Sequence, residues 1–112
     1  MPERYVPERG DLVWLNFHPQ RGHEQQGRRP AVVVSPRIYN QRSGLALFCP
    51  ITSKTKDYPF EVQLPENCTI QGAILSDQLK SLDWKARDAD FICRCGSATL
   101  HELLAKVKTL TE

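Results

Sequence analysis

Two adjacent arginines, Arg28 and Arg29, end a polar segment at residues 22–30 and come just before an apolar run at residues 31–34. Arginine keeps its charge at any working pH, and its planar fork of donors matches the oxygens of a phosphate. The segment therefore favours a phosphodiester ligand such as RNA, bound at the mouth of a buried strand. The alternative is a solvated loop whose arginines only keep a sheet edge soluble.

A second polar cluster follows a later apolar run at residues 45–49. Thr52, Ser53 and Lys54 supply two hydroxyl groups and an ammonium group where that run ends. Alone, the cluster is typical of a turn after a strand. Combined with the paired arginines it becomes more specific, because hydroxyl groups can orient a phosphate or a ribose while arginine stabilises its charge.

The common kinds of hydrolytic chemistry have little support in this sequence. His18, His23 and His101 are not at metal-ligand spacing, and the acidic residues form no paired motif. The sequence also contains no Gly-x-Ser-x-Gly nucleophile elbow and no phosphate-binding loop of the P-loop type. We therefore expect neither a metal nor a cofactor, which leaves arginine and hydroxyl groups as the reactive side chains.

Composition and charge bear on domain organisation, compartment and partners. The chain of 112 residues suits a single domain, residues 1–112, of ordinary globular composition. Its net charge is only +2, but residues 1–56 hold nine Lys/Arg against four Asp/Glu, and such a basic half attracts polyanions. The four cysteines are irregularly spaced and no signal peptide or long apolar span is evident. These features predict free thiols, a cytoplasmic location and no membrane contact.

The elements that must position the polar clusters are mostly strands. Apolar or alternating runs at residues 12–17, 31–34, 45–49, 60–64, 72–75 and 78–82 predict six short strands, the third closed by Pro50. Such a series favours a mostly antiparallel barrel or curled sheet. Near the end of the chain, Thr99 and Glu102 form a capping box. The helix that follows has one apolar face, made by Leu100, Leu103, Leu104, Val107 and Leu110.

Several motifs together resemble the MazF/PemK family of toxin-antitoxin ribonucleases over nearly the whole chain. They are residues 10–14 (GDLVW), 22–36 (GHEQQGRRPAVVVSP), 39–40 (YN), 50–53 (PITS), 58–62 (YPFEV) and 77–87 (DQLKSLDWKAR). The resemblance implies a mainly β fold with short helices. More closely, it implies a small CcdB/PemK-type barrel of about six or seven strands with a C-terminal helix, assembled as a homodimer. It also implies metal-independent cleavage of single-stranded RNA at short sequences, which inhibits translation and growth.

The resemblance assigns roles to particular residues as well. Arg29 and Thr52 correspond to the catalytic pair, and Glu24, with Gln25 beside it, lies in a flexible loop that helps form the RNA site. In metal-free RNA cleavage the 2′-hydroxyl attacks the adjacent phosphorus and leaves a 2′,3′-cyclic phosphate and a 5′-hydroxyl. Arg29 suits charge stabilisation better than proton donation, because the pKa of arginine lies above about 12. The general acid and base stay open, with His23 as an alternative base.

The remaining RNA-binding candidates come from the same comparison and from residue chemistry. Asn16 stands where the family commonly has an aspartate, so a cleavage sequence cannot be copied from a relative. Phe17, at the end of its strand, is expected to stack on an unpaired base, whereas Trp14 is expected in the core. The other candidates are Arg28, Ser53, Lys54, Lys56, Gln78, Lys80 and Ser81.

This interpretation implies an antitoxin as a partner and is weighed against two alternative functions. An acidic, partly disordered MazE-like antitoxin would suit the basic half and cover the RNA groove, and DNA is expected to be contacted only through the toxin-antitoxin complex. A non-enzymatic toxin that binds DNA gyrase, as CcdB does, is the main alternative function. The other is an RNA-binding module that has lost activity. The Arg29 and Thr52 pair favours the ribonuclease over both.

Overall fold

The computed structural model describes residues 4–17 and 27–112 and shows a mainly β fold with two helices in those ranges. The strands are β1 (Asp11–Asn16), β2 (Arg28–Val33), β3 (Leu45–Thr52), β4 (Glu61–Gln63), β5 (Ala73–Leu75), β6 (Lys80–Asp83) and β7 (Asp90–Arg94). The helices are α1 (Arg37–Ser43) and α2 (Ser97–Thr111). All strand pairs are antiparallel, in the order β4-β5-β3-β2-β1-β7, and β6 also pairs with β3. The expected fold class is confirmed, and the sheet is open within the described residues.

The central strands are buried on both faces because successive side chains point to opposite sides of a strand. In β1, Leu12 belongs to one apolar cluster, which α2 covers with Leu103. The next residue, Val13, belongs to a second cluster that Trp84 closes from the other side. This arrangement explains why β1 and β2 are apolar at consecutive positions instead of alternating with polar residues.

A buried polar cluster joins the end of β2 to α1 and to the turn after β6. Asn40 has no exposed surface and donates from Nδ2 to the carbonyl oxygens of Pro7 and Ser35. Its own carbonyl oxygen accepts a hydrogen bond from the Trp84 indole, 2.9 Å away. Because each of these buried groups is paired, the cluster fixes the N-terminal segment and the β6–β7 turn relative to β2.

Strand β3 is longer than the sequence predicts. Pro50 was expected to end it, but the strand continues through Ile51 to Thr52. β3 pairs with β6 up to Phe48 and with β5 from Ile51 onward, so Pro50 lies in the gap between these two partners. A residue without an N–H is tolerated where no ladder bond is needed. The extension carries Thr52 to the rim of the sheet.

Near the C-terminus the sequence analysis missed one strand, misplaced the start of the helix and placed an exposed leucine on its apolar face. β7 was not predicted, because it is an edge strand that pairs only with β1 among the described strands, and Asp90 and Phe91 on it are exposed. α2 begins at Ser97, after a Gly96 with φ 89°, so Thr99 lies inside the first turn and makes no cap. Leu110, expected on the apolar face, is 47% exposed.

The cysteine thiols and the two helices of the described segments bear on the predicted thiol state and membrane contact. All four cysteines are free thiols, as predicted, and the Sγ atoms of Cys68 and Cys93 lie 3.6 Å apart. Burial raises the pKa of the Cys49 thiol to about 12. Neither described helix is long and apolar enough to cross a membrane.

Candidate active site

A groove of about 820 Å³ opens where β2 begins and β3 ends. Much of its lining was predicted from the sequence, namely Phe17, Arg28, Arg29, Thr52, Ser53, Lys54, Gln78 and Lys80. These residues come from separate parts of the chain, since β1 and β3 end at this groove, β2 begins there, and the segment after β5 also reaches it. The groove is therefore a product of strand order and register.

The register of β2 and β3 brings the two predicted catalytic residues together. Ala31 pairs with Pro50 in the antiparallel ladder between these strands. Arg29 comes two residues before Ala31 and Thr52 two residues after Pro50, and both side chains line the groove. Two residues separated by 22 intervening positions in the sequence thus line the same groove, next to the β2–β3 pairing.

The two arginines differ in how firmly they are held. Arg29 is exposed, and within residues 4–17 and 27–112 its side chain has no hydrogen bond or ion pair. Arg28 donates from Nη1 to Asn16 Oδ1 at 2.9 Å and from Nη2 to the Asp88 carbonyl oxygen at 3.3 Å. Neither guanidinium contacts a carboxylate of the described residues, so both charges are available to an anionic ligand.

The Thr52 hydroxyl is oriented by the turn that follows it. Its Oγ1 accepts a hydrogen bond from the Lys54 N–H at 3.0 Å, which leaves the hydroxyl hydrogen to be donated elsewhere. Gly72 packs against the other side of Thr52 with φ 131°. A Cβ at position 72 would overlap the Thr52 carbonyl oxygen, so only glycine allows this close approach. Thr52 is held by its main chain and presents its side chain to the groove.

The electrostatics of the groove suit a polyanion. Four cationic side chains and no acidic one line it among the described residues, namely Arg28, Arg29, Lys54 and Lys80. Aromatic and aliphatic side chains lie between these charges, and they provide flat apolar surface for bases. In the described part of the chain, no group of three or more His, Cys, Asp or Glu side chains is placed to hold a metal ion.

Comparisons with known proteins identify the family. A family model for the PemK-like, MazF-like toxin of type II toxin-antitoxin systems matches residues 8–111. The chain belongs to this family. It is 44% identical over 110 residues to the endoribonuclease toxin MazF of Escherichia coli (strain K12), covering 98% of each chain. It is 36% identical to the endoribonuclease toxin ChpB of the same strain, covering 94% of each.

Solved structures of the PemK/MazF family share the fold. A crystal structure of MazF from Deinococcus radiodurans superposes with a TM-score of 0.86 at 49% identity, covering 96% of this chain and 98% of that one. A MazE-MazF complex from the same organism gives a TM-score of 0.86 at 44% identity, covering 96% and 97%. The open antiparallel sheet with a C-terminal helix is therefore the fold of this toxin family.

A smaller pocket of about 700 Å³ adjoins the groove of this PemK/MazF toxin and shares Thr52 and Lys54 with it. Lys56, a predicted RNA contact, lines this pocket and not the main groove. The Lys56 N–H donates to the carboxylate of Glu61, which is 7% exposed, at 3.2 and 3.1 Å from its two oxygens. Tyr58 donates to Asp77 in the same pocket, and this bond raises the pKa of the tyrosine.

Some predicted site residues lie elsewhere. Asn16 does not line the groove, since it is 5% exposed and its amide is bonded to Arg28 and Asp88. A direct base contact would require these bonds to break. Ser81 is exposed on β6, opposite Leu47, and outside both pockets. Glu24, Gln25, His18 and His23 lie outside the described residues.

Sequence reasoning missed part of the lining. Trp14, which was expected in the core, is half-buried and faces the groove. The other unpredicted lining residues are Pro30, Pro50, Ile51, Ile70, Gln71 and Leu75. Their types carry no functional signal, because apolar residues at strand ends are ordinary in any sheet. The one available clue was Gly72, whose close approach to Thr52 brings Ile70 and Gln71 to the rim.

Proposed function

We propose that this chain is an endoribonuclease toxin that cuts single-stranded RNA at short sequences without a metal. Endoribonuclease is the named activity of relatives that match almost end to end, including the Escherichia coli MazF. The observation that carries the proposal is that Arg29 and Thr52 line one groove whose described charged side chains are all cationic. An RNA strand supplies the phosphates and unpaired bases that such a groove binds.

The proposed chemistry uses the nucleophile of the substrate itself. The ribose 2′-hydroxyl attacks the adjacent phosphorus, the bond from phosphorus to the 5′-oxygen breaks, and a 2′,3′-cyclic phosphate and a 5′-hydroxyl result. Arg29 binds the non-bridging oxygens and stabilises the charge that develops on them. The Thr52 hydroxyl donates to the same phosphate, because its oxygen already accepts the Lys54 N–H.

The neighbouring residues are proposed to hold the strand on either side of the cut. Lys54 and Lys80 bind flanking phosphates, as Arg28 does from the opposite wall. Phe17 and Trp14 offer ring faces for bases, since stacking is how single strands are usually held. Ser53 and Gln78 add hydroxyl and amide groups that can read base edges.

The proposed partners follow from the same groove. MazE-MazF complexes are known among its structural relatives, and we propose that an acidic antitoxin segment covers the groove and excludes RNA. We further propose a homodimer in the cytoplasm that contacts DNA only through the toxin-antitoxin complex. Gyrase binding and inactive RNA binding, the two alternative functions, have no observation in the groove that favours them.

The experiment is incubation of the purified toxin, free of antitoxin, with a long single-stranded RNA in excess chelator. Mapping of cut sites should show a short recurring sequence with cyclic phosphate and 5′-hydroxyl ends. Arg29→Ala and Thr52→Ala variants, checked for folding by circular dichroism, should lose most of this cleavage. A folded, antitoxin-free dimer that leaves every RNA intact, or cleavage that disappears with the chelator, would contradict the proposal.

A further inference from the structure

We propose that Asn16 is a positioning residue for Arg28. It holds the guanidinium in the groove wall through an uncharged oxygen and so leaves its full charge for a phosphate. The proposal rests on the proposed RNA-cleaving function and names a residue that sets how strongly the groove binds RNA. The residue type at position 16, an amide, is the feature that carries the effect.

The main chain places Asn16 and Arg28 directly side by side. They are register partners in the β1–β2 ladder, and Asn16 Oδ1 accepts from Arg28 Nη1 at 2.9 Å. The Asn16 main chain is also held by the segment before β7, since its N–H donates to the Arg87 carbonyl oxygen at 2.9 Å. A side chain that is 5% exposed and held in this way has little freedom to move.

The hydrogen bonds fix which way the amide points. A guanidinium has only donors, so the atom of Asn16 that faces Arg28 must be the oxygen. The other end of the amide is Nδ2, which donates to Asp88 Oδ2 at 3.3 Å. Asn16 therefore stands between a carboxylate and a guanidinium and satisfies both. A serine is too short for this, and a carboxylate would face Asp88 with like charge.

The amide also keeps the Asp88 carboxylate off Arg28. The contact from Asp88 to Arg28 is made by the main-chain carbonyl oxygen, 3.3 Å from Nη2, whereas the carboxylate binds Asn16. A carboxylate in direct contact with Arg28 would form a charge-assisted pair and compete with a phosphate for the same donors. With an amide at position 16, Arg28 has a fixed orientation and contacts no carboxylate of residues 4–17 and 27–112.

A charge-swap variant, Asn16→Asp combined with Asp88→Asn, tests this directly. The swap keeps the net charge and the two side-chain hydrogen bonds to Arg28 and residue 88, because the new carboxylate accepts from Arg28 and from the new amide. Position 88 tolerates asparagine, since its φ is 51°. The probe is a single-stranded RNA of the mapped cleavage sequence with a 2′-deoxy nucleotide at the cut, whose binding is measured over a range of KCl concentrations.

We expect the swap to weaken binding on the order of tenfold, which is the usual effect of losing a hydrogen bond to a charged group. The slope of log affinity against log salt should shrink by about 0.7, since one phosphate contact fewer is made. The thermal midpoint should be preserved. The control, Asp88→Asn alone, should bind no more weakly than the unmodified toxin, because Arg28 keeps both its partners.

Three results would overturn the proposal. The first is a folded swap variant with unchanged RNA affinity and unchanged salt slope, and the second is an equal loss of affinity in the Asp88→Asn control. The third is a loss of affinity that the swap still causes in an Arg28→Gln background. In the last case the effect does not pass through Arg28. If the double variant fails to fold, the single Asn16→Asp variant carries the same expectation for the slope. If the unmodified toxin itself neither binds nor cleaves RNA, the proposed function has failed instead.

Discussion

The structure contains two arginine sites that differ in their partners, one at the groove and one at the N-terminal end of β1. Arg94 donates from Nη1 to Asp11 at 2.8 Å and to Glu8 at 3.4 Å, and from Nη2 to the Arg9 carbonyl oxygen at 3.2 Å. In the groove, Arg28 has an amide and a carbonyl oxygen as described partners, and Arg29 has none. Both sites lie at the edge of the same sheet.

The difference lies in the carboxylates. Asp11 is 3% exposed and also accepts hydrogen bonds from the Tyr5 hydroxyl and the Glu8 N–H, so Arg94 is part of a closed network that ties the N-terminal segment to β1 and β7. The groove arginines face an open space and contact no carboxylate in the described part of the chain. Arginine therefore stabilises the fold where carboxylates surround it and is available to a ligand where they are kept away.

The largest expected effect is at Arg29. Arg29→Ala should lower kcat/KM about 10²- to 10³-fold, which is typical of removing one donor that stabilises transition-state charge. Because Arg29 is exposed and has no partner in the described segments, its removal should change the free energy of unfolding by less than about 0.5 kcal/mol. Single-turnover cleavage and urea unfolding measure the two quantities. A loss of stability comparable to the loss of activity would contradict the distinction between the two sites.

The next effect in size is at Thr52. Thr52→Val keeps the shape but removes both the acceptor for the Lys54 N–H and the donor for the phosphate, so activity should fall about 10- to 100-fold. Thr52→Ser retains the hydroxyl and should recover most of the rate. Equal rates for the two variants would show that the hydroxyl takes no part. The comparison is a kcat measurement at saturating RNA.

At the other site the expected result is reversed. Arg94→Met removes the cation from the network around Asp11 and should lower the free energy of unfolding by about 2 kcal/mol, while RNA cleavage is retained. The alkyl chain of methionine preserves packing, so the loss reports on the charge and its hydrogen bonds. Urea unfolding followed by tryptophan fluorescence measures the loss. A folded Arg94→Met variant with strongly reduced cleavage would contradict the assignment.

The smallest effect depends on pH. Burial, followed by the hydrogen bond to Asp11, raises the pKa of Tyr5 above its ordinary value of 10.0. Below about pH 10 both states are protonated and the contribution of Tyr5 to stability is complete; above it the unfolded chain ionises first, and the contribution falls as pH rises. Tyr5→Phe should therefore cost about 1 kcal/mol near neutral pH and progressively less in alkali. A cost that grows with pH would contradict this sign.

Much of the fold could be predicted from hydrophobic pattern. β1 lies close to where its continuous apolar run places it, and Leu103 on the predicted apolar face of α2 is buried. β7 could not be predicted, since it is an edge strand with exposed and half-buried residues and pairs with a strand far away in the sequence. Its existence depends on β1 being available, which is a property of the folded sheet.

The sequence predicts which residue types form the site, but it does not predict which of these residues contact each other. Arg29 and Thr52 were identified on chemistry and family resemblance, but the pairing of β2 with β3, next to which both residues line the groove, is non-local. Asn16 was predicted to be an RNA-binding residue, yet its position beside Arg28 in the β1–β2 register leaves it buried. Which polar groups bond to each other inside the protein and which face a ligand depends on register, which a single sequence specifies weakly.

The salt dependence of RNA binding tests the difference between the two arginine sites most directly. The probe is a single-stranded RNA with a 2′-deoxy nucleotide at the cut, titrated over a range of KCl concentrations with the unmodified toxin, Arg29→Ala and Arg94→Met. The slope of log affinity against log salt should shrink by about 0.7 for Arg29→Ala and stay unchanged for Arg94→Met. Equal slopes for the unmodified toxin and Arg29→Ala, or a reduced slope for Arg94→Met, would contradict the claim that the groove arginines bind the RNA backbone.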